Sequence, residues 1–107
     1  SNAKDSLDKD PNDFDMNLAM WNFYTRIYLY DQSYINKIEE KSKKLIELSP
    51  TNLSSQETMI KTSVLKKDLD SAKKWNKIWI EDHPNLHTLD KYHWDSLIAS
   101  LENELQN

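Results

Sequence analysis

The sequence predicts an all-α fold of five helices paired into antiparallel hairpins. Three observations lead there. The 107 residues include no Gly and 3 Pro, which disfavours an all-β fold, whose tight turns need residues that tolerate positive φ. Apolar side chains recur at steps of three and four over long stretches, the spacing of one helix face. Short polar breaks separate those stretches, and loops of a few residues join helices as antiparallel neighbours.

Ser1-Asn2-Ala3 reads as the remnant of a cleaved expression tag, with native residues upstream expected to have been removed. Residues 4–13 are polar with alternating charge and read as a flexible lead-in, with Asp13 as N-cap of a first helix. The stretch 14–107 then reads as a single helical domain. Its first helix runs from Phe14 to about Tyr30. Phe14, Leu18, Trp21, Tyr24 and Tyr28 make one stripe and Met16, Met20, Phe23, Ile27 and Tyr30 a second, so this helix needs cover from more than one side.

Asp31-Gln32-Ser33 breaks the chain before a second helix, about Tyr34 to Leu48. Ile35, Ile38, Ser42, Leu45 and Ile46 face inward, and Lys37, Lys41 and Lys44 form its solvated face. Pro50 ends it. The third helix, from Ser54 or Ser55 to Lys67, buries Met59, Ile60, Ser63 and Val64. The fourth runs to about Asp82 with Leu69, Ala72, Trp75, Ile78 and Trp79 inward, and His83-Pro84-Asn85 stops it. The fifth, from Thr88 or Leu89 to Leu105, carries Leu89, Tyr92, His93, Leu97, Leu101 and Leu105 on its apolar face.

Composition removes several chemistries. Without Gly there is no phosphate cradle of the P-loop or dinucleotide-binding kind. Without Cys there is no disulfide scaffold, zinc ribbon, iron–sulfur site or thiol nucleophile. No run approaches the roughly 18 apolar residues of a membrane span. Hydrophobic residues at 37% suffice for one compact core, and a net charge of -4 argues against a nucleic-acid binder. Cysteine silence fits either side of a cell membrane, so the compartment stays open.

Pro50 and Pro84 close helices at the same phase, 34 residues apart. The stretch from Lys67 to Asn85 closely resembles the second helix of a tetratricopeptide repeat (TPR), whose period is two helices in about 34 residues. Asp68-Leu69 stands at the inter-helix turn, Ala72 at the small-residue crossing position and Pro84 at the closing proline. Met59 and Ile60 take the packing positions of the preceding helix. An earlier unit is in register with Ile38 at the small-residue position, Leu45 to Pro50 as the closing segment and Trp21 one residue from the family tryptophan. Asp10-Pro11-Asn12 resembles the tail of a further unit, at a distance of 39 rather than 34 from Pro50. The family glycine positions hold Arg26, Ser33, Ile60 and Lys67, and bulky Ile38 and Trp79 stand where small residues allow close crossing. The resemblance covers residues 19–105 as two units and a capping helix, and it implies a short TPR-like α-solenoid. An unrelated five-helix bundle remains the alternative.

In proteins similar to this, function lies on the concave face formed by the first helix of each pair. The resemblance therefore implies a partner-binding groove of Met20, Phe23, Ile27 and Tyr30, continued by Ser54, Glu57, Lys61, Val64 and Leu65 and by Lys91, Asp95 and Ile98. Such a groove suits an amphipathic helix or an extended segment with a hydrophobic anchor. In the competing reading, Phe23, Ile27 and Tyr30 are simply core. Family members that hold acidic chaperone tails use Lys and Asn where this chain has Phe23 and Ile27, so that ligand is not expected.

His83, His87 and His93 match no zinc-binding spacing and read as ordinary histidines, His93 packing on the apolar face of the fifth helix. Charge runs in blocks: residues 1–34 hold 3 basic and 6 acidic groups, 35–80 hold 10 and 6, and 81–107 hold 1 and 6. The central lysines read as a solvated face, since Arg26 is the one arginine and arginine makes most bidentate phosphate contacts. No carboxylate pair or nucleophile arrangement suggests catalysis, no metal or cofactor is expected, and the four Trp read as helix-crossing filler. The sequence thus points to a non-catalytic protein–protein interaction module or scaffold that binds a peptide or protein segment. A self-associating structural domain, or a lysine-faced nucleic-acid accessory, are the alternatives. No nucleic-acid partner is expected, and a homo-oligomer is compatible with the sequence.

Overall fold

The computed structural model describes residues 10–107; the tag remnant 1–3 and lead-in residues 4–9 lie outside the described residues. Among the described residues all regular structure is helical: α1 (Phe14–Tyr28), a 3₁₀ turn (Gln32–Tyr34), α2 (Ile35–Leu48), α3 (Leu53–Leu65), α4 (Leu69–Asp82) and α5 (Thr88–Gln106). The stretch 14–107 comprises two compact units, the first ending at Pro50 and the second running Thr51–Asn107.

In the first unit, Asp13 caps α1 by accepting the Met16 N–H at 3.0 Å. The end of the lead-in is a hydrogen-bonded turn, in which the Asn12 N–H meets an Asp10 carboxylate oxygen at 3.1 Å. Sequence periodicity carries the first helix to about Tyr30, but α1 stops at Tyr28. The Ile27 carbonyl there accepts the N–H groups of both Tyr30 (2.9 Å) and Asp31 (2.8 Å), which closes the helix. Asp31 caps the 3₁₀ turn through Ser33, and α2 follows directly. Ile38, Ser42 and Leu45 are fully buried along one face of α2, and the aliphatic side chains among them each contribute about 1.5–3 kcal/mol of burial. The solvated face expected for α2 holds at Lys37. Lys41 departs from it: this side chain is half-buried and donates to Asn17 Oδ1 at 3.4 Å.

In the second unit α3 and α4 pack as a hairpin, and α5 packs on α4 and more lightly on α3. Asn52 caps α3 through the Ser54 and Ser55 N–H groups (2.8 and 3.2 Å), and Asp68 caps α4 through Ser71 (3.2 Å). Between them the chain turns at Lys67, whose φ is 60°. The Asp68 N–H reaches the Ser63 carbonyl (2.9 Å) and the Lys67 N–H the Val64 carbonyl (3.0 Å), the double bond of a Schellman stop. That left-handed position favours Gly, and a chain without Gly fills it with lysine.

The core of this unit is Ile60, Ala72, Trp79 and Ile98, with Val64, Leu69, Trp75, Ile80, Leu86 and Trp94 packed around it. Here the expected apolar face of α5 needs correction. Leu101 is buried as expected, but Leu89, Tyr92, His93 and Leu105 are exposed, and Trp94 and Ile98 turn inward with Leu101 instead. The buried stripe is thus rotated from the one the leucine and tyrosine spacing suggests, and Trp94 and Ile98 join the cluster that holds Trp79. Lys73–Glu102 (2.7 Å) and Lys67–Glu104 ion pairs run between the α4 side and the end of α5.

Two helices of the chain are alike in length, burial and closing geometry. α2 and α4 each span 14 residues, and they start 34 apart at Ile35 and Leu69. Ile38 and Ala72 stand at equivalent positions and are both fully buried, as are Leu45 and Trp79. The residues closing the two helices, Ser49 and His83, have similar backbone angles (φ -153°, ψ 81° and φ -131°, ψ 75°).

Candidate functional site

The expected groove residues belong to both units, and each set has its own surroundings. On α1, Met20 is buried at 7% relative exposure and presents almost no surface to a partner. Phe23, by contrast, is 52% exposed, Ile27 is half-buried, and Tyr30 at 92% and Leu29 at 77% project from the turn that follows. Truncating either exposed aromatic therefore removes surface rather than core.

These side chains end a run of rings in tilted contact. Phe23 meets Tyr24 at 6.1 Å between centroids, and Tyr24 meets Tyr34 at 5.7 Å. The Lys37 ammonium lies over both tyrosines, 4.8 Å from the Tyr34 ring and 5.7 Å from the Tyr24 ring. Beside them the Asp31 carboxyl is held below its usual range. It accepts from the Ser33 hydroxyl at 2.6 Å and the Ser33 N–H at 3.1 Å, and the Lys37 charge adds to this. Both tyrosines are half-buried, so the ring run is anchored to α2 at one end and open at the other.

Sequence periodicity gave no hint of Asn17. It is buried, and its amide nitrogen donates to the carbonyls of Pro11 (3.1 Å) and Asp13 (2.7 Å) while its oxygen accepts from Lys41. All its polar groups are used, as burial demands. A cleft of about 390 Å³ opens beside it, lined by Pro11, Lys41, Lys43, Lys44, Glu40 and Glu47. Lys43 and Lys44 pair with Glu39 and Glu47 (3.8 and 3.9 Å), so this is a charge-balanced surface.

In the second unit Glu57 is half-buried and faces α5. Burial pushes its carboxyl pKa up and the Asp90 charge pushes the same way. A hydrogen bond from Trp94 and the His83 and His93 rings oppose this. Next to it, fully buried Gln56 joins α3 to the end of α4: its amide nitrogen donates to Asp82 at 2.6 Å and its oxygen lies 3.0 Å from His83 Nε2. Lys61 and Lys91 are half-buried. Asp95, placed with them by sequence, instead accepts from Asn76 of α4 at 2.9 Å, and Ile98 belongs to the core. Heptad-like spacing could not separate these orientations, because α5 carries apolar residues on two stripes.

The three histidines have separate structural partners. His83 meets Gln56, His87 caps α5 by accepting the Leu89 N–H at Nδ1 (3.1 Å), and His93 packs edge-on to Trp94 at 4.8 Å between rings. Among the described residues no group of three or more His, Cys, Asp or Glu could hold a metal ion, and no helix is long and apolar enough to cross a membrane. In comparison with known proteins, the chain matches no family model, no curated protein and no solved structure.

Proposed function

We propose that this chain is a non-catalytic protein-interaction module of the tetratricopeptide-repeat type, binding a peptide or protein segment on the open aromatic end of α1. The observation that carries the reading is the exposure of Phe23, Leu29 and Tyr30 beside a run of rings in tilted contact. Aromatic side chains supply large contact area at low entropic cost, and they are enriched where partners dock. Repetition of helix length, burial and closing geometry over 34 residues supports the repeat assignment.

The test is a pull-down from source-cell lysate, comparing the native chain with a folded Phe23→Ala/Tyr30→Ala variant. A partner enriched on the first and lost on the second supports the reading. Identical lists from both baits refute it. Exposed Leu89 and Tyr92 on α5 favour self-association as a second reading, and sedimentation over a hundredfold concentration range separates the two. The lysine-faced nucleic-acid role has less support: Lys43, Lys44, Lys67, Lys73 and Lys77 all pair with this chain's own glutamates.

A further inference from the structure

Charge around the aromatic end of α1 distinguishes one class of partner. Arg26 is exposed and sits three residues after Phe23 on the same helix, so the two side chains are neighbours on its surface. On the other side Lys37 lies over Tyr24 and Tyr34. Two cations therefore bracket the apolar surface of Phe23, Ile27 and Tyr30. Neither makes an ion pair among the described residues, whereas five lysines elsewhere pair with the chain's own glutamates. Lys37 lies over two rings, and its charge also acts on the Asp31 carboxylate, which accepts two hydrogen bonds from Ser33.

We infer that the occupant of this face is an acidic amphipathic segment: apolar side chains against Phe23, Ile27 and Tyr30, with carboxylates on both sides reaching Arg26 and Lys37. This rests on the proposed role of that face as the docking site. Phe23 and Ile27 offer apolar surface to the segment's aliphatic or aromatic side chains. Its specificity comes from apolar anchors flanked by acid, because a basic segment of the same shape would meet the like charges of Arg26 and Lys37.

The experiment selects a phage-displayed library of 16-residue peptides on the full chain, then measures enriched peptides by fluorescence anisotropy. Acidic sequences with apolar residues at three- and four-residue spacing are expected. Their affinity should fall at least tenfold on Phe23→Ala and at least fivefold on Arg26→Glu/Lys37→Glu, and weaken as salt rises from 50 to 300 mM. Circular dichroism of each variant confirms folding. Enriched peptides that are neutral or basic, or that lose affinity on Phe23→Ala but not on Arg26→Glu/Lys37→Glu, overturn the acidic partner and leave the docking face standing. Peptides indifferent to Phe23→Ala overturn both.

Discussion

The turn at Lys67 offers a sharp test, because one backbone angle carries its energetics. An L-residue at φ 60° pays about 1–2 kcal/mol for contact between its Cβ and the backbone. Gly escapes that cost but adds about 0.4–1 kcal/mol of unfolded-state entropy. The lysine also pairs with Glu104, at 56% and 53% side-chain exposure, for about 0–1 kcal/mol. Comparing Lys67→Gly with Lys67→Ala removes the ion pair from both and isolates the backbone. The glycine variant should be more stable than the alanine variant by about 0.5–1 kcal/mol, raising the thermal midpoint by about 2–5 °C. Urea and thermal unfolding followed by far-ultraviolet circular dichroism and tryptophan emission would measure the difference. A glycine variant no more stable than the alanine variant would refute the left-handed turn as the source of strain.

Three further expectations concern polar groups and the crossing residue. Gln56→Ala removes two hydrogen bonds that tie a fully buried amide of α3 to the Asp82 carboxylate and the His83 ring, and should cost about 1–3 kcal/mol in urea unfolding. Glu57 has a folded-state pKa raised above 4.5, so the folded state takes up its proton more readily than the unfolded chain. Its ionisation therefore opposes folding above that raised pKa, and the penalty fades as pH falls through it toward 4.5. Glu57→Gln should be more stable than the parent at pH 7 and should flatten this part of the pH–stability curve; equal slopes for the two proteins would contradict the burial argument. Ala72→Leu forces side-chain volume into a fully buried crossing and should cost about 1–3 kcal/mol, read as a lower midpoint in the same unfolding assay.

Helix boundaries were legible from the chain because punctuation and periodicity agreed. Pro50, Pro84, Asn52 and Asp68 mark ends through backbone chemistry that acts locally, and α2 and α4 bury Ile38, Leu45, Ala72 and Trp79 as their spacing implies. Orientation was less legible. α5 has Leu89, Tyr92 and Leu105 on one stripe and Trp94, Ile98 and Leu101 on another, and the choice between them depends on the shape of the α3–α4 surface. Buried Asn17 and Gln56 escaped periodicity altogether. A polar residue at an inward position is readable only once its hydrogen-bond partners, 24 and 26 residues away in the cases of Lys41 and Asp82, are known to be near. The candidate face shows the same limit: Met20 and Phe23 share a stripe in sequence, yet one is buried and the other open.

The equivalent helices α2 and α4 fill their inward faces differently. One sets Ile38 and Leu45 two turns apart, and the other sets Ala72 and Trp79 at the same places. A medium pair stands in one helix where a small and a very large residue stand in the other. Each inward face is thus a lock cut for its own neighbours. Exchanging residues 35–48 for 69–82 would carry the right helix length into the wrong cavity, so the two helices are not spare parts for one another.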